Sequence, residues 1–262
     1  IELNRKHNKT LEEIAKALFK SWFIDFDPVR AKANGDSTGL PDEISDLFPN
    51  SFEDSQLGEI PAGWQIGELN KIVRPCGQSI KPSEETLRKP YVPIDCITSK
   101  SLSLMEYKSG EEAKSSLLSF GKGDILFGAM RPYFHKVCIA PFEGITRSTC
   151  IPMRSINKSY YSYSTLLLSS QETIEYATQH STGSTIPYIR WNDSLEKMPI
   201  VIPPKKVSNY LEMILAPLFQ KVSNAIYLKN SLQDIRDTLL PKLISGELRV
   251  PNAEKIIEEV DI

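Results

Sequence analysis

Residues 211–240 read LEMILAPLFQKVSNAIYLKNSLQDIRDTLL and run directly into Pro241. Along them Leu211, Ile214, Leu218, Lys221, Ala225, Leu228, Leu232, Ile235 and Leu239 recur in alternating steps of three and four, which aligns eight apolar side chains and one lysine on a single seam. That spacing predicts a long helix with a coiled-coil face. Pro217 has no amide hydrogen and clashes with the preceding turn, so the helix is expected to restart there, leaving Leu218–Leu240 as its regular part, roughly 35 Å at 1.5 Å per residue. Pro241 and Gly246 are expected to close it. Two arrangements fit the seam: a two-helix coil projecting from a domain, or two amphipathic helices packed on a globular core.

The same pattern occurs near the start of the chain. Thr10-Leu11-Glu12-Glu13-Ile14 lines up with Ser231-Leu232-Gln233-Asp234-Ile235 at an offset of 221, and the same offset carries Leu18 onto Leu239, Phe19 onto Leu240 and Val29 onto Val250. The first copy puts Leu11, Ile14 and Leu18 on its seam, preceded by Asn4 and His7, polar residues of the kind that fix register at a cost in stability. Because Ile1 and Glu2–Phe19 already read as helix, the natural protein is expected to extend further upstream.

Texture divides the rest. Residues 1–32 form the first helix and its end; residues 33–60, rich in Pro, Gly, Ser, Asp and Asn, read as a connecting loop; residues 61–205 form a domain; residues 206–246 hold the second helix, and 247–262 a tail. Within the domain, β-rich runs at Tyr91–Ile97, Asp124–Gly128, Lys136–Ala140, Thr149–Met153 and Pro199–Ile202 alternate with helix-like stretches at Tyr161–Ser169 and Gln171–His180. The fold class is therefore α/β in the broad sense, a mixed α+β domain with long coiled-coil helices at both ends. The strand order is not readable from the sequence.

Composition narrows the function. The 262 residues are 40% hydrophobic and 24% charged, enough apolar material for a core and typical of a globular chain. The longest nearly apolar run, Leu211–Phe219, falls far short of the roughly 20 residues of a membrane span, and no signal segment opens the chain, so no membrane association and a cytoplasmic location are expected. Cys76, Cys96, Cys138 and Cys150 have no CxxC spacing and there are three histidines, which favours reduced, mostly buried thiols over a zinc site or disulfide framework. The net charge of −2 is distributed as −5 over residues 1–61, +4 over 62–205 and −1 over 206–262. Only the middle domain is basic, which suits a surface that reads a short nucleic-acid site better than one that coats a polyanion.

No catalytic constellation emerges. The N-P-P-[YFW] turn and glycine-rich cofactor turn of an adenine methyltransferase do not occur, nor does the phosphate-binding loop of an ATP motor. Carboxylate pairs such as Glu84-Glu85 and Glu111-Glu112 lie in polar, loop-like sequence, as solvated charge does. The chain is expected not to be an enzyme and to need neither cofactor nor metal.

Two segments instead carry recognition chemistry. Gly123–Val137 reads as strand, turn and strand, with Arg131, Tyr133, His135 and Lys136 bunched at the turn. Arg pairs bidentately with guanine, Lys neutralises phosphate, and aromatic faces pack on sugars or bases. Ser181–Trp191 is a hydroxyl-rich loop followed by aromatic and cationic residues, with Thr182, Ser184, Tyr188 and Arg190 as its candidate contacts. The alternative for both is structural: Tyr133 and Phe134 in the core, Arg131 in an ion pair, and the loop a surface cap.

Taken in order, Phe19-Lys20-Ser21-Trp22-Phe23-Ile24-Asp25-Phe26-Asp27-Pro28-Val29-Arg30-Ala31-Lys32, Ile60-Pro61-Ala62-Gly63-Trp64, the Gly-Asp-Ile-Leu turn with Met130-Arg131-Pro132, Ser181–Ile186, Pro199–Pro204 and Arg236–Leu248 resemble the specificity subunit of type I restriction-modification enzymes. The similarity spans nearly the whole chain. It implies a DNA-reading subunit without catalysis, built in the family from two target recognition domains and two antiparallel conserved helices. Modification subunits that methylate adenine and ATP-driven restriction subunits assemble on it. This chain departs from that plan in having one target recognition domain between two helices, as half a subunit would. Under the resemblance, double-stranded DNA, modification subunits and restriction subunits are the expected partners, with adenine methylation and restriction directed to a bipartite site. Trp22, Phe23 and Phe26, large aromatics at a helix end beside the acidic segment, are expected to serve assembly with the modification subunits, the alternative being that they cap the local core. Leu218, Leu228, Leu232, Ile235 and Leu239 are expected to form a helix seam at a subunit interface, pairing two copies as a homodimer or, through Asn4, His7 and Lys221, the two helices within one chain. A coiled-coil scaffold unrelated to DNA, and the recognition fragment of a fused methyltransferase, are the competing functions.

Overall fold

The computed structural model describes residues 2–114 and 116–247. In chain order its helices are α1 (Glu2–Phe23), α2 (Asp27–Asn34), α3 (Asp42–Ser45), α4 (Glu84–Leu87), α5 (Tyr161–Leu168), α6 (Gln171–Gln179) and α7 (Lys205–Ile244). Its strands are β1 (Phe52–Ser55), β2 (Gly58–Pro61), β3 (Gln65–Glu68), β4 (Val73–Pro75), β5 (Ser79–Ile80), β6 (Pro90–Tyr91), β7 (Lys108–Ser109), β8 (Leu117–Phe120), β9 (Ile125–Gly128), β10 (Val137–Ile139), β11 (Gly144–Arg147), β12 (Cys150–Ser155) and β13 (Pro199–Ile202). They make a four-stranded antiparallel sheet, β10-β9-β12-β4, and a mixed five-stranded sheet, β5-β8-β11-β6-β7. Two further ladders pair β1 with β2 and β13 with β3. The central strand β9 and the edge strand β10 are both buried along their length, as their unbroken apolar runs require. The β13–β3 ladder ties the start of the domain to its end, immediately before α7.

Helix α7 runs for 40 residues with Pro217 and Pro241 inside it, correcting the expected restart at Pro217 and the expected stop at Pro241. It begins after Pro203-Pro204, and the exposed side of the helix accommodates Pro217 and the carbonyl its ring displaces. Two stripes divide its surface. Val207, Leu211, Leu215, Phe219, Val222 and Ile226 are buried against the domain. The neighbouring seam faces α1, where Leu11, Leu18, Ile214 and Leu218 are half-buried around the main core. The α1–α7 packing is antiparallel. Asn4, His7 and Asn8 line one cavity with Lys221, Asn224 and Leu228, while the α1 end (Phe19 on Tyr163) and the α7 start (Glu212 on the Ser162 amide) meet at α5. The polar seam residues thus face each other within one chain. Of the remaining seam positions, Leu228, Leu232 and Ile235 are half-buried and Leu239 is buried. Val250, the last position of the internal repeat, lies outside the described residues, as does the tail from residue 248.

Trp22, Phe23 and Phe26 are 2%, 4% and 7% exposed, which corrects the expectation that they form a partner-facing patch. They build the centre of this chain's own core. Phe23 meets Tyr163 edge-on at 5.0 Å, Trp22 meets Phe48 at 5.2 Å, and Phe26 stands perpendicular to Trp64 at 5.8 Å. Each such ring contributes about 1.5–3 kcal/mol by burial, plus about 0.5–1.5 kcal/mol for the pair geometry.

The loop expected at 33–60 is also more structured than its composition suggests. It holds α3 and the β1–β2 hairpin, which brings Phe52 to 6.2 Å from Phe26 and under the Arg30 guanidinium. Strands of four residues are too short to display a two-residue period. The run at Tyr91–Ile97 is a strand only at Pro90–Tyr91. Pro93 cannot donate to a ladder, and a 3-10 turn, Ile94–Cys96, follows it.

The domain is bolted to both helices through residues 100–105 and Pro141. The Glu12 carboxylate, 4% exposed, accepts hydrogen bonds from Ser101 Oγ (2.9 Å), Leu102 N–H (2.9 Å) and Ser103 N–H (3.2 Å). Lys16 donates to the Lys100 carbonyl at 2.8 Å. From α7, Lys229 donates to the Met105 carbonyl at 2.9 Å and Tyr227 to the Pro141 carbonyl at 3.1 Å, while Ser103 Oγ donates to the Val222 carbonyl at 3.3 Å.

Candidate nucleic-acid interface

The connection from β9 to β10 carries the first set of candidate contacts. β9 and β10 pair with Phe127 opposite Val137, and the Gly128 amide donates to the Lys136 carbonyl at 2.8 Å. A Cβ at Gly128 would lie 2.9 Å from that carbonyl, so only glycine allows the two chains this close. The turn between them is a 3-10 element, Pro132–Phe134, with left-handed residues at both ends, Arg131 (φ 51°) and His135 (φ 53°). Pro132 fixes its own φ at the start of the 3-10 element, while the left-handed backbone of Arg131 before it is held by the hydrogen bond from its amide to the Pro187 carbonyl.

The second set, some fifty residues later, folds onto the first. Thr182 and Tyr188 exchange backbone hydrogen bonds of 2.9 Å, closing the hydroxyl-rich loop around Gly183, whose φ of 96° suits glycine. Tyr188 bridges to Met130, the Arg131 amide donates to the Pro187 carbonyl at 2.7 Å, and the Ile189 amide to the Ala129 carbonyl at 3.0 Å. The Tyr188 hydroxyl donates to the Ser148 carbonyl at 2.9 Å. The two turns singled out in the sequence therefore form one continuous surface. Thr182, Ser184 and Arg190 are exposed on it, Tyr133 is exposed, and Arg131 and Tyr188 are half-buried. Beside the loop lies an open cleft of about 940 Å³, lined by Thr182, Tyr188, Arg190, Trp191 and Asn192, with Pro75 and His180 among its other walls.

Two of the candidates do other work. The His135 ring is buried and its Nε2 lies 2.8 Å from the Ser169 carbonyl, to which it donates in the tautomer that satisfies both groups. Burial depresses its pKa, against the opposing pull of the hydrogen bond to Ser169 and with a smaller lowering contribution from Lys16 and Lys100. The Lys136 ammonium is half-buried and donates to the Ile94 carbonyl at 2.9 Å. Both side chains brace the turn from beneath, which corrects their expected place among the exposed DNA-contacting side chains. Asn192, His180 and Pro75 of the cleft were not anticipated. Asn192 follows Arg190-Trp191 directly and was legible by proximity, whereas Pro75 and His180 reach the cleft only through the tertiary fold.

No family model matches the chain. Among curated proteins, the type I restriction enzyme MjaIX specificity subunit of Methanocaldococcus jannaschii is 31% identical over 266 residues, covering 95% of this chain and 56% of that protein. The HindI specificity subunit of Haemophilus influenzae is 27% identical over 317 residues, covering 95% and 64%, and the EcoDI specificity subunit of Escherichia coli is 22% identical over 224 residues, covering 82% and 48%. The chain is a homologue of type I restriction enzyme specificity subunits. It spans between about half and two thirds of the length of these relatives. Solved structures agree on the fold. The S subunit of a type I restriction-modification system from M. genitalium superposes with a TM-score of 0.51 at 16% identity, covering 92% of this chain and 57% of that one. A chain from an assembled type I R-M system also gives 0.51, at 20% identity, covering 73% and 51%. In this specificity-subunit homologue the paired turns and the cleft all belong to the mixed domain, and α1 and α7 belong to the helical part.

Proposed function

We propose that this chain is the DNA-recognition part of a type I restriction-modification system, a non-catalytic subunit that acts in the cytoplasm and directs adenine methylation and restriction by partner subunits to a defined sequence. The observation that carries this reading is the convergence of two distant turns on one basic domain, within a chain homologous to specificity subunits over 95% of its length. Arg131 and Arg190 supply bidentate donors, and Thr182 and Ser184 offer short hydroxyls and backbone amides to phosphate, the division of labour expected of duplex readers. Tyr133 and Tyr188 add aromatic surface. The experiment is a titration of labelled duplex DNA against a modification subunit with and without this chain. Sequence-specific binding that appears only with the chain supports the reading. Specific binding by the modification subunit alone, or none with both, rejects it. Methylation activity in the chain by itself would favour a fused methyltransferase.

The helix pair supports a finer arrangement. The offset of 221 carries Asn4 onto Ala225, and both residues line the same cavity between α1 and α7, so the two copies of the repeat pack around a point close to a local two-fold axis. On this reading a second recognition domain belongs at the other end of the coil. A second copy of this chain would supply it, using the Leu232 and Ile235 stripe with the exposed Leu240 and Ile244, and the site read would then be two inverted half-sites around an unread gap. Sedimentation at micromolar concentration distinguishes the dimer from a monomer.

A further inference from the structure

The Pro132–Phe134 turn presents two neighbouring aromatic rings to solvent, Tyr133 at 49% and Phe134 at 46% exposure, with centroids 4.8 Å apart. The backbone beneath them is held from several directions. Ser99 Oγ donates to the Phe134 carbonyl at 2.7 Å, the Lys100 amide to the His135 carbonyl at 2.8 Å, the His135 ring to Ser169, and the Arg131 amide to Pro187. The turn is also strained at both ends, because Arg131 and His135 are non-glycine residues at positive φ. Strain kept in place by so many partners marks a conformation needed for what it displays. What it displays is a rigid apolar step: Tyr133 shares a cavity with Lys100 and Glu175, Lys16 is held by the Lys100 carbonyl and the Glu12 carboxylate, and Arg131 stands half-buried at the base of the turn.

We propose that Tyr133 and Phe134 form a wedge that enters the base stack of duplex DNA and partly unstacks one step. This rests on the DNA-reading function above and adds a specificity device to it. Aromatic faces stack on every base, so the wedge reads the ease of opening instead of a hydrogen-bond code. It selects flexible pyrimidine–purine steps at its position. The hydrogen bond from the Arg131 amide to the Pro187 carbonyl joins the wedge to the 182–190 loop, so the occupant it favours is the duplex proposed to lie on that loop.

The test uses the full chain assembled with its modification subunit on the duplex site located by methylation mapping, with 2-aminopurine placed in turn at each purine. The wild-type complex is expected to brighten the probe at one step away from the methylated base. Tyr133→Ala with Phe134→Ala abolishes that signal and weakens binding at least about tenfold. Tyr133→Phe keeps both signal and affinity, which separates stacking from loss of the tyrosine hydroxyl. Specific binding with no bright step, or an unchanged signal in the double variant, overturns the wedge and leaves the DNA reading intact. A double variant that binds DNA normally but no longer retains the modification subunit assigns the rings to a protein interface and also overturns it. Absence of specific binding by the wild-type complex rejects the underlying function.

Discussion

Glu12 joins helix α1 to the mixed domain through a buried carboxylate. Replacing it with alanine removes one buried carboxylate that accepts three hydrogen bonds, two of them from the buried amides of Leu102 and Ser103. A buried donor left without a partner costs about 1–3 kcal/mol; the Leu102 amide loses its acceptor outright while the Ser103 amide keeps Ser101 Oγ at 3.2 Å, so the loss is about 1–4 kcal/mol, nearer the lower figure where water enters the vacated space. Ser101 keeps access to solvent and adds little. Glu12→Gln retains an acceptor oxygen but turns an amide group toward one of the donors, for an expected loss of about 1–3 kcal/mol. Glu13, whose side chain is 62% exposed, is the control and is expected to change stability by no more than about 0.5 kcal/mol on replacement with alanine. Equilibrium unfolding in urea checks all three, since a shift in midpoint at constant slope reports stability directly. A Glu12→Ala midpoint indistinguishable from that of Glu13→Ala would refute the reasoning that this carboxylate bolts the domain to α1.

Arg190→Ala should weaken DNA binding, by about 1–3 kcal/mol with relaxed preference at one base pair if the guanidinium reads a base, or uniformly with a shallower salt dependence if it holds phosphate; a binding titration at two salt concentrations separates the two, and no change in either refutes the contact. Pro217→Ala restores a backbone hydrogen bond on the exposed side of a continuous helix and is expected to stabilise the chain by about 1–3 kcal/mol, read as a higher urea midpoint. Burial pushes the thiols of Cys76 and Cys150 up to about 12, whereas in the unfolded chain they ionise near 8.5. The stability gained by keeping them neutral is therefore complete below about pH 8.5 and is lost as pH rises toward 12, so unfolding free energy should decline between pH 8 and pH 10.5; a rise over that interval contradicts the assignment.

What the sequence disclosed followed from periodicity and from local chemistry. The heptad spacing of Leu211–Leu239 located α7, and the runs around Ile125–Gly128, Val137–Ile139 and Pro199–Ile202 located three strands, because each is long or apolar enough to stand out from its surroundings. Aromatics at a helix end, by contrast, have the same composition whether they meet a partner or their own core. Only the tertiary approach of Phe48, Trp64 and Tyr163 decides that Trp22, Phe23 and Phe26 are interior. The same holds at the candidate site. Arg131 and the 182–190 loop were visible as residue types, but the hydrogen bonds that join them span more than fifty positions, and the burial of His135 and Lys136 depends on Ser169 and Ile94. The role of Glu12 is illegible in the sequence for a related reason, since a glutamate inside an amphipathic helix reads as solvated charge until the loop that caps it is in place.

Methylation mapping of a host that expresses the modification subunit with and without this chain tests the central claim most directly. Methylated adenines confined to one recurring bipartite motif, present with the chain, absent without it and shifted in sequence by Arg190→Ala or Arg131→Ala, are the expected result. A methylation pattern that is the same whether or not the chain is present would contradict it.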